Sequence, residues 1–373
     1  MLRMLDSHVV LEIPNNQAHR RPTEEKVQYL DCLFLFSAVA SRLISKLHKH
    51  KARAVKSEIQ EKFENAFSRL ESAYATKLDW APYVDTMTKL VLSYPTIHYL
   101  LHALLCRISP KVIVEVVHYS WSIMLINQVA KELKIPTVEL QHGIIGAEHV
   151  AYNYASGTHV RQFPDYLFLF SDYWRDSMRI PILPNRVISV GFPYYEQQVA
   201  QYKQERIAKD TTRKTVLILS QLTVGQTMAT LAIDLADRLS SEAFRILYKL
   251  HPAEYNIWRK RYPQLENSSI IVIDKQEKDI YSCFAESDIQ VGAYSTAIYE
   301  GFGFGLATYI LRTDAFDRVE DLCAKGYAIA FSSAEELAVL LKNETHAATV
   351  NAKFFWQDNA LTNMWEAIQK IMI

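Results

Sequence analysis

The feature that most constrains this chain is an alternation of short apolar runs with helical segments, which starts at Lys111 and is set up twice. Val112–Val117 is a β-branched run with the character of a buried strand. Trp121–Leu133 has helical spacing, and Pro136 ends that unit before a second strand at Thr137–Leu140. Tyr166–Phe170 and Val187–Val190 follow as strands, with a helix around Asp172–Arg179 between them. The alternation begins afresh at Thr215. Strands are expected at Val216–Leu219, Arg245–Leu250, Ile270–Ile273, Asp288–Val291 and Ala307–Leu311. Helices are expected at Thr227–Leu239, Ile280–Ala285, Ser295–Phe304, Ala334–Leu341 and Asn359–Ile371. Such units predict parallel sheets covered by helices, an α/β fold. The polar segment 197–213 separates the two series and reads as a hinge, so two Rossmann-like halves facing a cleft are expected. Ligands of such sheets lie beyond the carboxyl ends of the strands, and chemistry is sought there.

The N-terminal quarter has a different grammar. Val9–Ile13 reads as a short opening strand. Glu24–His48, Ala52–Ala75 and Tyr83–Cys106 read as helices, the second with Ile59, Phe63, Phe67 and Leu70 at helical spacing. Pro95 predicts a break or kink in the third. A chain of 373 residues that is 49% hydrophobic can bury the cores of two domains. Lys plus Arg and Asp plus Glu both number 41, and a net charge of +0 makes no electrostatic case for nucleic acid. Cys32, Cys106, Cys283 and Cys323 are scattered, which predicts neither a zinc site nor a disulfide framework and fits a reducing compartment. Met1–Pro14 holds no apolar run followed by a small-residue cleavage site, and no apolar window is long enough to span a bilayer. A cytoplasmic chain is therefore expected.

Four strand ends carry candidate chemistry. Gln141-His142-Gly143 directly follows Thr137–Leu140. A histidine there titrates near neutral pH and is a candidate general base, while Gly143 permits a sharp turn or a close approach. A loop-bonding histidine is the plain alternative. His251-Pro252 follows Arg245–Leu250. Pro252 stops the strand ladder, and the imidazole can donate to a phosphate oxygen or simply cap the next helix. Lys249 shares the strand face of His251. Gly292-Ala293-Tyr294-Ser295-Thr296 follows Asp288–Val291. Ser295 and Thr296 at a helix start satisfy backbone N–H groups, and the same place suits a phosphate. Glu300 lies one turn further on roughly the same face. A carboxylate there would accept hydrogen bonds from both ribose hydroxyls of a nucleotide, the alternative being an ordinary surface Glu. Ser220 and Gln221 open the polar loop after Val216–Leu219, which again suits phosphate. The run Gly301–Gly305 lacks the dinucleotide spacing and reads as close packing and a helix end. No Asp-x-Asp occurs, so a carboxylate-held Mg²⁺ is not suggested.

Taken in order, these pieces resemble the GT-B glycosyltransferases of bacterial surface polysaccharide synthesis (capsule and lipopolysaccharide). The resemblance is to the sialyltransferase, Kdo transferase and CDP-glycerol glycerophosphotransferase group, which share a His-Pro and a Ser/Thr motif. It implies that His251, Pro252, Ser295 and Thr296, with Ser220 and Gln221, hold the donor nucleotide, and that Glu300 takes its ribose. It also implies that His142 is the catalytic base, as the His-Gly histidine is in the glycerophosphotransferases. No match is found to the acidic motif ending in Gly that supplies the sialyltransferase base. The implied activity is metal-independent transfer of a sugar from a nucleotide-activated donor to a hydroxyl of a growing glycan or lipid-linked glycan. No cofactor is implied beyond the nucleotide-sugar itself. The implied domains are 1–196 on the acceptor side (helical over 20–108, Rossmann-like over 110–196) and 214–355 for the nucleotide-sugar. A C-terminal helix, 356–373, is expected to return to the N-terminal domain. The basic segment His48–Lys56 suggests a peripheral contact with the inner face of the cell membrane, against the plainer reading of a solvated helical face. Two rivals are kept: a nucleotide-sugar epimerase or hydrolase of the same fold, and a non-catalytic scaffold of a polysaccharide assembly complex.

Overall fold

The structure, a computed structural model, describes residues 8–13, 27–202, 212–266, 268–274, 278–348 and 350–373. The chain divides into two compact units, Met1–Thr137 with Arg161–Pro164, and Val138–Val160 with Asp165–Ile373.

In the first unit a parallel pair, β1 (Val10–Glu12) and β2 (Val27–Tyr29), precedes three long helices. These are α1 (Asp31–Leu47), α2 (Lys49–Tyr74) and α3 (Ala81–Ile108). Strand β3 (Ile113–Glu115) and helix α4 (Trp121–Glu132) follow. The helix expected from Glu24 therefore starts later. Val27–Tyr29 is spent pairing with β1, Val10 opposite Val27, and residues 24–26 lie outside the described residues. Of the break or kink expected at Pro95, the break is not found, since α3 runs through it. Proline removes one helical hydrogen bond. Against that loss, Ile97, Leu101 and Leu105 of α3 are buried with Leu125, Ile126 and Val129 of α4, and that packing holds the helix together.

In the second unit β4 (Thr137–Leu140), β5 (Tyr166–Leu169) and β6 (Val187–Ser189) pair in parallel and in chain order. The helix expected around Asp172–Arg179 is only a 3₁₀ turn, Asp172–Trp174. Its residues bond elsewhere. The Trp174 indole N–H donates to the Phe355 carbonyl at 3.0 Å, and the Arg179 carbonyl accepts from Tyr154 N–H at 2.7 Å. Of the expected hinge, the start belongs to helix α5 (Pro193–Tyr202), and 203–211 lies outside the described residues.

The second series is built from β7 (Lys214–Leu219), α6 (Gly225–Ala236), β8 (Phe244–Lys249), α7 (Trp258–Arg261), β9 (Ile271–Ile273) and α8 (Ile280–Glu286). It continues with β10 (Ile289–Gly292), α9 (Thr296–Gly301), β11 (Ala307–Leu311), α10 (Glu320–Ala324), β12 (Ile329–Phe331) and α11 (Ala334–Lys342). The chain closes with α12 (Ala360–Ile371). Among the described residues the six strands are parallel, in the order β12-β11-β10-β7-β8-β9. Central β7 is buried on both faces, as its unbroken run Thr215-Val216-Leu217-Ile218 requires. Strand order reverses between β7 and β10, which opens a crevice at their carboxyl ends. In the Gly301–Gly305 run, a Cβ on Gly301 would fall 2.1 Å from Gln290 Oε1, and Gly305 ends the turn at φ +69°. Helix α12 is anchored by Glu196, whose carboxylate accepts the Asn359 and Ala360 N–H groups at 2.9 and 3.0 Å.

Candidate functional site

The loops that leave β7, β8 and β10 meet at this reversal of strand order. After β7, Ser220 is buried and its Oγ accepts from the Tyr248 hydroxyl at 3.0 Å, so it supports the loop from inside. Gln221 crosses the reversal point, its Oε1 accepting the Tyr294 N–H at 3.1 Å, and the Thr223 and Tyr294 hydroxyls meet at 2.6 Å. The loops of β7 and β10 are thus tied together before any ligand arrives.

After β8, Lys249 turns out to be buried, its ammonium donating to the Tyr255 hydroxyl at 2.9 Å and the Lys278 carbonyl at 3.1 Å. His251 is exposed. It caps a 3₁₀ turn, Pro252–Glu254, and no longer helix follows directly. Its Nδ1 accepts the Ala253 N–H at 3.2 Å, so the ring proton sits on Nε2, which becomes a donor for an outside group. Glu254 is fully buried beneath it. One carboxylate oxygen accepts the His251 backbone N–H at 2.9 Å and the other the Tyr262 hydroxyl at 2.7 Å. The reciprocal capping pattern is legible in His251-Pro252-Ala253-Glu254, where the acid stands three residues after the cap. Glu254 is thus a supporting residue that the capping rule could have found. Gly225, at the start of α6, makes room for it. A Cβ there would fall 1.9 Å from Tyr262 Oη and 2.4 Å from Glu254 Oε1.

After β10, Ser295 caps α9, its Oγ accepting the Ala297 N–H at 3.3 Å. Thr296 Oγ1 accepts the Ile144 N–H at 3.2 Å, which brings the His142-Gly143 turn against the start of α9. That turn is itself built by Gln141. Its buried amide accepts the Phe170 N–H at 2.9 Å and donates to the Gly143 carbonyl at 2.9 Å. His142 stands exposed on the turn. Neither expected use of Gly143 is required here, since its φ is not positive and a Cβ would lie 3.4 Å from Thr296 Oγ1, an ordinary contact.

Glu300 is not an ordinary surface acid. It is half-buried, close to Tyr194 and Tyr195 of α5 and Tyr281 of α8. Burial pushes its carboxyl up to about 7, and the hydrogen bond with the Tyr281 hydroxyl opposes part of that shift. Burial likewise pushes the Tyr195 and Tyr281 hydroxyls up, with the neighbouring Glu300 charge adding to it. Among the described residues, no group of three or more His, Cys, Asp or Glu side chains is disposed to hold a metal ion.

No protein-family model matches the sequence, and no curated protein is similar to it. Solved structures do share its fold. UDP-GlcNAc 2-epimerase from Neisseria meningitidis bound to UDP-GlcNAc superposes with a TM-score of 0.52 at 17% identity, over 75% of this chain and 82% of that one. A putative UDP-N-acetylglucosamine 2-epimerase from Listeria monocytogenes gives 0.51 at 14% identity, over 75% and 80%. UDP-GlcNAc 2-epimerase from Methanocaldococcus jannaschii gives 0.50 at 12% identity, over 75% and 82%. At these identities the likeness is one of fold, and the chain is an α/β protein of the GT-B type with Rossmann-like parallel sheets.

Proposed function

We propose that this chain is a glycosyltransferase that takes a sugar from a nucleotide-activated donor and delivers it to a hydroxyl of a growing, lipid-linked surface glycan. His251 carries this reading. An exposed imidazole with Nδ1 already occupied keeps Nε2–H as a donor, on the loop after β8 next to the central strand β7. Donor phosphate oxygens accept from His251 Nε2 and from the hydroxyls of Ser295 and Thr296, and Glu300 takes the ribose. Fixed donors of this kind stabilise the charge that grows on the departing phosphate. His142 takes the proton from the acceptor hydroxyl as that oxygen bonds the sugar carbon. The bond to phosphate breaks, and the nucleotide leaves with the electron pair. Ser220 and Gln221 keep the phosphate side of the crevice in shape.

Epimerisation of the bound sugar is the second reading, favoured by the fold shared with the three 2-epimerase structures. It needs no acceptor and exchanges a sugar C–H proton with solvent. Donor turnover is therefore followed in D₂O, with and without a glycan acceptor. Transfer predicts acceptor-dependent release of nucleotide, no deuterium in recovered donor, and loss of turnover in His142→Ala with nucleotide binding kept. Acceptor-independent deuterium uptake would establish the epimerase instead, and full transfer by His142→Ala would remove the base from the mechanism.

A further inference from the structure

Helix α1 keeps most of its large apolar side chains outside. Its buried positions are Ser37 and Ser41. The Ser37 hydroxyl is satisfied locally, donating to the Phe34 carbonyl at 2.9 Å, and the Ser41 carbonyl accepts from Ser45 Oγ at 2.8 Å. Small side chains on that face let α1 lie close to α3, with which it is in contact. Leu33 and Phe34 pack on the core, Ile44 is half-buried, and the other large apolar side chains point outward. Leu35, Phe36, Val39, Leu43 and Leu47 are 63, 63, 44, 52 and 76% exposed. Leu35, Val39, Leu43 and Leu47 recur every four residues, so with Phe36 they form one stripe along the helix. Burial does not explain this stripe, because the described residues leave it uncovered.

Charge says what covers it. Arg42 stands seven residues after Leu35, and Lys46 seven after Val39, so both line one margin of the stripe. Both are exposed. Lys49, Lys51 and Arg53 follow on α2, and no Asp or Glu occurs between Asp31 and Glu58, while Lys56 is paired with Asp85 of α3 at 2.7 Å. An apolar stripe edged by cations and free of acids complements a surface that is apolar beneath and anionic above. Long basic side chains reach the headgroup level while the stem stays with the apolar face.

We infer that α1 docks this chain on an anionic phospholipid bilayer, lying in the interface with Leu35, Phe36, Val39, Leu43 and Leu47 in the acyl boundary. Arg42, Lys46 and the basic start of α2 meet the lipid phosphates. The inference is independent of the sugar chemistry and is tested without nucleotide. The full chain is sedimented with vesicles of phosphatidylcholine alone or of phosphatidylcholine with phosphatidylglycerol. Wild type is expected to bind the anionic vesicles and to be released by high salt. Arg42→Gln with Lys46→Gln lowers the partition coefficient roughly 5-fold per cation, roughly 30-fold together. Phe36→Ser with Leu43→Ser lowers it by at least roughly tenfold, with the melting temperature unchanged because both sites are exposed. Absence of binding to anionic vesicles would overturn the inference, as would binding that neither double variant weakens. A lipid-free dimer that Phe36→Ser with Leu43→Ser converts to monomer would assign the face to a second copy of this chain and overturn it too.

Discussion

The backbone N–H of Ile144 donates to the hydroxyl oxygen of Thr296 across 3.2 Å, although the two residues are 152 positions apart. This bond fastens the turn that carries His142 to the cap of α9. Thr296→Val keeps the shape and removes the acceptor, leaving a half-buried N–H without its partner. A loss of about 1–3 kcal/mol is expected, with a drop in donor turnover, and Thr296→Ser is expected to restore both. Denaturant melts of the three proteins check this. A valine variant as stable as wild type would show that the bond does not hold the loop.

Gly225 and Glu254 give a second test. A Cβ at residue 225 would fall 2.4 Å from Glu254 Oε1 and 1.9 Å from Tyr262 Oη, and both partners are fully buried. Gly225→Ala is expected to cost about 1–3 kcal/mol through overpacking. It should also weaken nucleotide binding, because Glu254 holds the backbone of His251. Adding Tyr262→Phe removes one clashing atom and should recover part of the stability. Equal melting temperatures for wild type and Gly225→Ala would speak against the packing.

Stability should depend on pH through Glu300. Its carboxyl stands at about 7 in the fold against 4.5 for an ordinary Glu. The folded state therefore holds the proton more tightly. That contribution is complete below the unfolded value and is lost as pH rises through about 7, amounting to about 3 kcal/mol at most. The melting temperature of wild type is expected to fall between pH 5 and pH 8 more than that of Glu300→Gln, which stays neutral throughout. Parallel pH profiles for the two proteins would contradict the burial of this acid.

Pro95 is the clearest case where local preference and tertiary packing disagree. The ring removes an N–H that would bond the Val91 carbonyl, yet α3 continues on the strength of its buried face. Pro95→Ala should therefore stabilise the chain, by up to about 3 kcal/mol, read as a higher midpoint in urea. A lower midpoint would mean that the proline shapes the helix for its neighbours.

Much of the second unit was legible because its central strands are buried on both faces and read as nearly unbroken apolar runs. Thr137–Leu140 and Ala307–Leu311 begin and end where their sequences predict. Some of the shortest elements were not legible. Helices α7 and α10 and strand β12 are too short for periodicity to register, and α5 was hidden in the polar segment read as a hinge. Around Asp172 the helical pattern was real but lost to Trp174, whose indole is anchored to Phe355 from far along the chain. In the candidate site, the order of His142, His251 and Ser295-Thr296 along successive strand ends was visible. The supports were not. Gln141, Tyr262 and Tyr294 act through contacts that only folding creates, Glu254 alone being signalled by its capping distance from His251, and Ser220, taken for a ligand-facing hydroxyl, faces Tyr248 instead.

The central claim is that a nucleotide binds at His251. Melting temperatures of wild type and His251→Ala are measured with CMP, CDP, UDP, GDP and NAD, each in large excess. One pyrimidine nucleotide is predicted to raise the wild-type melting temperature by a few degrees, equivalent to roughly 2–4 kcal/mol, with the effect lost in His251→Ala. No shift with any nucleotide, or an equal shift in the variant, would contradict the account.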